Sequence, residues 1–304
     1  MRTRIAINGI LLLDKPIDMS SNGALQRVKW LFTAKKAGHT GSLDPLATGM
    51  LPLCFGEATK FSQFLLESDK VYEVVAQLGE RTLTGDSEGE VIETRPVPAL
   101  SADALEAVLE KFRGLISQVP PMFSALKHQG RPLYELARQG IEIERPSRQV
   151  TIYGLTLLSH DAKANTLSLR VHCTKGTYVR TLVEDIGQMI GCGAHVIELR
   201  RTSVTPYQDK RMYTLGELEN ILESDGVAGL KACLLPVQTS VAGFPIVTLS
   251  TSATFYLRQG QSVRTQLPIN TPFVQLFSDN QQFLGVGEVM PDGRVKPQRL
   301  LNSA

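Results

Sequence analysis

The sequence predicts an α+β fold with a larger mixed part, residues 1–243, and a smaller part made mainly of strands, residues 245–304. Apolar residues make up 42% of the chain and charged residues 20%, as is usual for a globular protein. Helical and strand-like patterns follow one another irregularly as far as about residue 243. Beyond Pro245, short strand-like runs are separated by Gly, Asn and Asp, which indicates a compact barrel. The 304 residues are enough for two such domains.

Apolar patterning and capping residues predict the elements of the first half of the chain. Gly9–Leu13 is predicted to be a buried strand, and Asn22 is expected to cap a helix that ends near Phe32. Four further elements are predicted here: a helix over about Ala58–Leu66, a strand over Lys70–Leu78, a loop or hairpin turn in Glu80–Glu90, and a helix from Ser101 to about Phe112.

The second half begins with an irregular stretch, Val119–Ser147, in which four prolines surround one short helix, Leu133–Arg138, that Gly140 can close. A connection of this length is expected to be functional, and we treat about 119–150 as an insertion. The other predicted elements are strands at about Val150–Leu158, Thr166–Cys173 and Ala194–Leu199, a helix over Val179–Ile190, a helix opened by Thr214 and Glu217, and strands at Ile246–Leu249, Phe273–Phe277 and Phe283–Val289.

The bulk composition argues against several classes of protein. The formal net charge is +2, so nucleic-acid binding would have to rest on a local basic surface. The four cysteines are scattered and form no C-x-x-C pair, which argues against zinc and dithiol sites. The apolar run Ile10–Leu13 is too short for a signal peptide, and no run approaches the about 18 residues of a membrane helix. We therefore expect a cytoplasmic protein without a metal or a membrane partner.

The most unusual segment is residues 38–52, where three glycines and two prolines lie among small hydroxyl residues. This composition is typical of turns and loops, and neither a helix nor a strand is expected. The apolar run Met50–Phe55 follows at once and should be buried. A loop held on a core is a common place for catalytic groups, and this one carries His39 and Asp44. The alternative is that Asp44 only initiates a turn before Pro45.

This segment, with the sequence GHTGSLDPLATG at 38–49, resembles the catalytic motif of the bacterial tRNA pseudouridine synthase B family. Other family segments occur in the same order along nearly the whole chain. They are LDKP at 13–16 with MSSN at 19–22, KVY at 70–72, PPMFSALK at 120–127, GTYVR at 176–180, LRRT at 199–202, and FLGVG at 283–287. One departure is Asp18, where the family usually has glycine; an aspartate tolerates left-handed turn conformations.

The resemblance implies a pseudouridine-synthase-like fold, with a mixed, mainly antiparallel sheet flanked by helices and loops. It also implies that the 119–150 insertion clasps RNA and that residues 245–304 form a small PUA-like RNA-binding barrel. The implied reaction isomerises uridine to pseudouridine at position 55 in the T-loop of tRNA. The base is flipped out, its bond to the sugar is broken at N1, and a new bond is made at C5. No cofactor is implied, a monomer is expected, and the family resemblance also implies assistance in tRNA folding.

Three residues carry the implied catalysis. Asp44 matches the family nucleophile, since a carboxylate can attack covalently or stabilise a cationic sugar. Arg180 matches the arginine that pairs with this carboxylate, a role that suits a planar guanidinium. Tyr72 matches the tyrosine beside the target base, where its ring can stack and its phenol can transfer a proton. Without the resemblance, Arg180 would be interpreted as a surface charge and Tyr72 as a core residue.

The resemblance also assigns substrate and RNA contacts. His39 matches a histidine that fills space near the displaced base, and its alternative is a structural hydrogen bond in a turn. Tyr178 and Leu199 match positions that line the uridine pocket, although Leu199 alone would be assigned to the core. Asp86 matches an aspartate in the substrate cleft. Basic residues of the insertion and of the LRRT segment fit phosphate contacts, although each alone is more typical of a solvated surface: Lys127, Arg131, Arg200 and Arg201.

Two other functions stay open at this point. A non-catalytic RNA-binding or RNA-folding module would not need Asp44 for its main effect. A glycosidase would use the same carboxylate but release free uracil.

Overall fold

The computed structural model describes residues 3–265 and 271–302. Contacts between Cα atoms divide the chain into two compact units. The first unit contains the chain as far as Pro45, Met50–Ser68 and the chain from Thr205 onward. The second unit contains Leu46–Gly49 and Asp69–Val204. This division follows contacts rather than sequence order, and the boundary between residues 1–243 and 245–304 stays a prediction.

The strands of both units are numbered here in chain order. They are β1 (Gly9–Lys15), β2 (Ala37–His39), β3 (Thr48–Phe55), β4 (Lys70–Leu78), β5 (Glu80–Thr82), β6 (Val91–Thr94), β7 (Gly114–Gln118), β8 (Lys127–His128), β9 (Arg131–Pro132), β10 (Arg148–Asp161), β11 (Thr166–Cys173), β12 (Ala194–Val204), β13 (Ile246–Leu249), β14 (Val263–Arg264), β15 (Phe273–Ser278), β16 (Phe283–Val289) and β17 (Arg294–Leu300).

Seven α-helices and two 3₁₀ turns complete the elements among the described residues. The helices are α1 (Ser21–Leu31), α2 (Ser62–Leu66), α3 (Ala102–Glu110), α4 (Leu133–Ala137), α5 (Val179–Ile190), α6 (Leu215–Ala232) and α7 (Thr251–Arg258), and the 3₁₀ turns are Gly56–Phe61 and Val237–Val241. Within residues 3–265 and 271–302, no helix is both long and apolar enough to cross a membrane.

The sheet of the second unit is mainly antiparallel, which confirms the fold class. Its strand order is β12-β4-β11-β10-β7, and the first two residues of β3 pair in parallel with β12. Strand β4 alternates buried and half-buried residues throughout, as expected for a strand with one face in the core. Helices α5 and α3 pack against β12 and β10. The predictions of β4 and α5 are confirmed at both ends, and β12 is longer than predicted.

The loop prediction for residues 38–52 is only partly right. β2 pairs antiparallel with β3, and the turn between them is limited to residues 40–47. A glycine lies inside β3 because a side chain would not fit there. Gly49 has φ +96°, and a Cβ at this position would lie 2.3 Å from the carbonyl oxygen of Arg201 on β12. The glycine thus permits a close approach of two strands as well as a turn.

Helix capping follows the sequence with one correction. The cap of α1 is Ser20, whose side chain accepts from Gly23 N at 3.0 Å, whereas Asn22 already lies inside the helix. Ser101 caps α3 and the Thr214–Glu217 capping box opens α6, as predicted.

The C-terminal part of the first unit contains a curled five-stranded sheet, a half-barrel with the strand order β13-β15-β16-β17-β14, consistent with the small PUA-like barrel that the resemblance implies. Its core is aliphatic and includes Val274, Leu276 and Val295. The sequence analysis missed α7, β14 and β17. Strand β17 carries Lys, Pro, Gln and Arg between its apolar residues, so its sequence does not show a clear strand pattern.

Candidate active site

The residues implicated by the sequence are divided between the two units. His39 and Asp44 lie in the first unit, at the end of β2 and in the turn that follows it. The other implicated catalytic and substrate residues lie in the second unit: Tyr72, Asp86, Tyr178, Arg180 and Leu199.

The turn that carries Asp44 has a backbone fixed by hydrogen bonds. Ser21 Oγ accepts from the N–H of Leu43 at 2.7 Å and donates to the carbonyl of the same residue at 2.9 Å. At the start of the turn, Thr40 N donates to Pro52 O at 3.1 Å. The half-buried carboxylate of Asp44 therefore projects from a backbone that is held in place.

The residue after Asp44 is held by a buried ammonium group. Lys15 is 0% exposed, and its Nζ donates to the carbonyls of Pro16 at 2.8 Å, Met19 at 2.5 Å and Pro45 at 3.2 Å. Asp18 N also donates to Pro45 O, at 3.0 Å, from a left-handed conformation with φ +60°. The N-terminal family motif therefore supports the turn, and the aspartate in place of glycine adopts the conformation that glycine favours.

Arg180 lies in the first turn of α5 and is buried, with 5% exposure, so it is not a solvated surface charge. Its Nη1 donates to Thr84 O at 2.7 Å and lies 3.3 Å from Asp86 Oδ2, while Nη2 donates to Phe123 O at 2.7 Å. A positive charge at a helix N-terminus is unfavourable, and these acceptors offset that cost. One turn later on the same helix, burial raises the pKa of Glu184.

Asp86 is itself fixed in a buried hairpin turn. Its Oδ1 accepts from Thr84 Oγ1 at 2.5 Å and from Glu88 N at 3.2 Å. The backbone of the turn is tied to β12, because Ser87 N donates to Val196 O at 2.9 Å. With 2% exposure, Asp86 acts in this structure as the anionic partner of Arg180.

Tyr72 and Leu199 lie on one face of two adjacent strands. In the β4–β12 register, Tyr72 is opposite Arg201 and Val74 is opposite Leu199, so all four side chains project to the same side. Lys70 precedes Tyr72 by two residues on this face. Burial, with the nearby charge of Arg201 as a second cause, lowers its pKa to about 8. The face beside Tyr72 is therefore buried and carries two basic side chains.

Tyr178 is held by Gln118, which the sequence did not mark, and by Arg148, which the sequence marks only as one of the basic residues of the insertion that fit phosphate contacts. Gln118, at the end of β7, accepts from Tyr178 N at 3.1 Å and donates to Tyr178 O at 3.3 Å. The guanidinium of Arg148, at the start of β10, lies 5.6 Å from the centre of the Tyr178 ring. No sequence signal marks Gln118, because one amide after a strand is indistinguishable from a surface residue.

The implicated RNA contacts differ in exposure. Lys127 and Arg131 are exposed on the β8–β9 hairpin of the insertion. Arg200 is half-buried and donates to Thr48 Oγ1 at 3.4 Å. Arg201 is only 1% exposed, so it does not lie on the solvated surface that is typical of such a charge, and its phosphate contact stays a prediction. The strand alternation that exposes Arg200 directs Arg201 into the interior.

Three family models match consecutive parts of the chain. The model described as TruB family pseudouridylate synthase, N-terminal domain, matches residues 29–179. The tRNA pseudouridylate synthase B C-terminal domain matches residues 180–242, and the pseudouridine synthase II TruB C-terminal model matches residues 245–301.

Relatives and solved structures agree with these matches. The tRNA pseudouridine synthase B of Coxiella burnetii is 56% identical over 295 residues, covering 97% of this chain and 95% of that protein. The enzyme of the same name from Ectopseudomonas mendocina is 54% identical over 99% of this chain and 97% of its own. A Cbf5–Nop10–Gar1 complex contains a chain with a TM-score of 0.74 and 25% identity, covering 97% of this chain and 84% of that one. With this extent of similarity, the chain belongs to the TruB family of pseudouridylate synthases and is an isomerase.

Proposed function

We propose that this protein isomerises uridine to pseudouridine at position 55 in the T-loop of tRNA, acting as a monomer in the cytoplasm. The observation that carries the proposal is the GHTGSLDPLATG turn, in which Asp44 lies between two residues whose backbones are fixed, in a chain of the TruB family. The names of the relatives in Coxiella burnetii and Ectopseudomonas mendocina support tRNA as the substrate.

Asp44 is the proposed nucleophile. The reaction breaks the bond between C1′ and N1 of the uridine and forms one between C1′ and C5, while C5 loses a proton and N1 gains one. Atoms and charges balance without a co-substrate. A carboxylate on a fixed backbone can start this reaction by attack or by stabilising the cationic sugar, and such positioning is a large part of catalysis.

Arg180 and Tyr72 are the proposed partners of Asp44. Arg180 is the proposed charge partner of the carboxylate, and its own position is supported by Thr84 O, Phe123 O and Asp86. Tyr72 stacks on the base and assists the proton transfer, and its 8% exposure supports a role in a closed pocket.

The remaining residues receive the RNA. His39 fills the space of the displaced base, Tyr178 and Leu199 line the uridine pocket, and Asp86 acts in the cleft through Arg180. The exposed positions of Lys127 and Arg131 support phosphate contacts by the insertion. By opening the T-arm in order to extrude the base, the same protein assists tRNA folding.

The test is pseudouridine mapping by chemical adducts on tRNA treated with the wild type and with Asp44→Asn. We expect modification at position 55 with the wild type and none with the variant, while tRNA affinity is retained. Asp103→Asn, on the exposed surface of α3, is the matched control. Full activity of Asp44→Asn would refute the mechanism, and release of free uracil would indicate a glycosidase.

A further inference from the structure

The insertion leaves and rejoins the sheet of the second unit at one point. Strand β7 ends at Gln118, β10 begins at Arg148, and these two residues are opposite each other in the antiparallel pair. The base of the insertion is thus a single cross-strand pair. Both members of this pair contact Tyr178.

Gln118 fixes the main chain of Tyr178. The side-chain amide is 1% exposed and bonds in both directions to the backbone of Tyr178, at 3.1 and 3.3 Å. Tyr178 is the N-cap residue of α5 and has no capping hydrogen bond from its own side chain. Gln118 therefore supplies, from another strand, an acceptor for an N–H at the start of this helix.

Arg148 fixes the ring of the same tyrosine. Its guanidinium lies beside Gly176, in the segment before the helix, where a Cβ would be in ordinary van der Waals contact with Nη1 at 3.5 Å. The guanidinium then lies over the Tyr178 ring at 5.6 Å. The segment is tied to β10 as well, because Thr151 and Thr174 exchange two hydrogen bonds of 2.9 Å.

A third link joins the insertion to the same segment. Phe123, within the insertion, accepts from Arg180 Nη2 at 2.7 Å. Tyr178 and Arg180 are two residues apart. The base of the insertion contacts Tyr178, and Phe123 contacts Arg180, so the insertion is joined to this segment at two places.

We propose that Gln118 and Arg148 are positioning residues that couple the insertion to Tyr178, so that the base of the insertion holds the main chain and the ring of this tyrosine in place. The inference rests on the proposed function, which places Tyr178 in the uridine pocket. It assigns Arg148 to the ring of Tyr178. Loss of either side chain should therefore slow the chemical step more than it weakens RNA binding.

The experiment compares Gln118→Met and Arg148→Met with matched controls. Gln149→Met and Arg170→Met change an exposed amide and an exposed guanidinium of the same sheet. Single-turnover rates are measured on an isolated T-arm stem-loop with saturating enzyme, and affinities are measured with the same changes added to Asp44→Asn. We expect the rate constant of both test variants to fall by about tenfold or more, with affinities within about threefold of the parent. The controls should match the wild type.

A double-mutant cycle identifies the route of the effect. If Arg148 acts through the ring, Arg148→Met should have no further effect on the rate in a Tyr178→Leu background. Additive losses, an unchanged rate constant, or a loss confined to salt-dependent affinity would overturn the inference.

Urea unfolding of Gln118→Met is measured beside its rate, and where this variant does not fold, Arg148→Met tests the inference by itself. Arg148 is only half-buried, and an unchanged rate constant in Arg148→Met would then overturn the coupling. A wild type that makes no pseudouridine would refute the proposed function, whereas normal wild-type activity with unaffected variants would refute only this inference.

Discussion

At the scale of single residues, hydrogen bonds to main-chain carbonyls offset much of the desolvation penalty of the buried Lys15 and Arg180 side chains. Lys15 has three carbonyl acceptors and Arg180 has two carbonyls and one carboxylate. A buried charge is tolerated when it is paired and hydrogen-bonded. Both side chains thereby fix backbone segments, the turn around Pro45 and the start of the insertion at Phe123. The two buried side chains therefore help to position the residue after Asp44 and the first residues of the insertion.

Lys70 gives a prediction about pH. Burial lowers its pKa to about 8 in the folded protein, below its value in the unfolded chain. Between about pH 8 and pH 10 the unfolded chain binds more protons at this site, so the free energy of unfolding should rise with pH. Relative to Lys70→Met, the wild type should gain about 3 kcal/mol across this window in urea unfolding. The exposed Lys163→Met controls for the loss of a lysine, and a pH-independent difference for Lys70→Met would contradict the prediction.

Asp18 gives a prediction about backbone strain. Its φ of +60° is costly for a residue with a Cβ, so Asp18→Gly should raise the free energy of unfolding by up to about 1 kcal/mol. The same change at Asp103, on the exposed first turn of α3, should lower it by about 1 kcal/mol, because glycine is a poor helix former. Urea unfolding of both variants checks the opposite signs. A loss of stability in Asp18→Gly would show that the aspartate side chain has its own structural contact.

At the scale of elements, the site depends on how closely α5 approaches β12. Gly187 faces the start of β12, and a Cβ there would lie 2.3 Å from Ala194 N and 2.4 Å from the carbonyl carbon of Gly193. The helix can therefore lie directly on the backbone of the strand. The same helix carries Arg180 and begins directly after Tyr178. The distance between the helix and the sheet therefore helps to set the positions of Tyr178 and Arg180.

A pair of glycine substitutions tests this packing. Gly187→Ala should destabilise the protein by about 2 kcal/mol or more, although alanine is the better helix former, because backbone atoms cannot move aside. Gly216→Ala is the matched control: the residue is exposed in the first turn of α6, and a Cβ there would have no atom within 4 Å. It should be neutral or stabilising by up to about 1 kcal/mol in thermal unfolding. Equal effects at the two sites would refute the close approach.

Elements were easier to predict from the sequence than the contacts between them. The ends of β4 and α5 follow from apolar periodicity and from the glycine after Ile190, and these are local signals. The strand character of Gly49 was missed because its cause, the carbonyl of Arg201, is distant in sequence. The burial of Arg201 and the contacts of Gln118 are non-local in the same way. Residue identities in the candidate site came from the family resemblance, and their convergence remains a prediction.

At the scale of the whole molecule, the C-terminal sheet is packed onto the N-terminal part of the first unit. Phe61 lies 5.6 Å from Phe283, and Phe64 lies 5.3 and 5.6 Å from Phe244 and Phe273, between ring centres. A polar network continues the contact, in which Lys60 donates to Leu300 O at 3.1 Å and Asn302 N donates to Glu57 Oε2 at 2.8 Å. The described residues 245–265 and 271–302 thus belong to the same compact unit as the turn of Asp44.

Removal of residues 245–304 should therefore affect stability as well as RNA binding. The deletion exposes Phe61 and Phe64, and loss of such aromatic packing costs about 3 kcal/mol or more, so the midpoint of thermal unfolding should fall. The affinity for full-length tRNA should fall more than the rate on a saturating stem-loop.

Arg294→Ala and Arg299→Ala, which change exposed charges of β17, should weaken tRNA binding without lowering the midpoint of thermal unfolding. An unchanged midpoint after deletion would mean that the barrel is an independent appendage, and unchanged affinity in the two arginine variants would place its RNA contacts elsewhere.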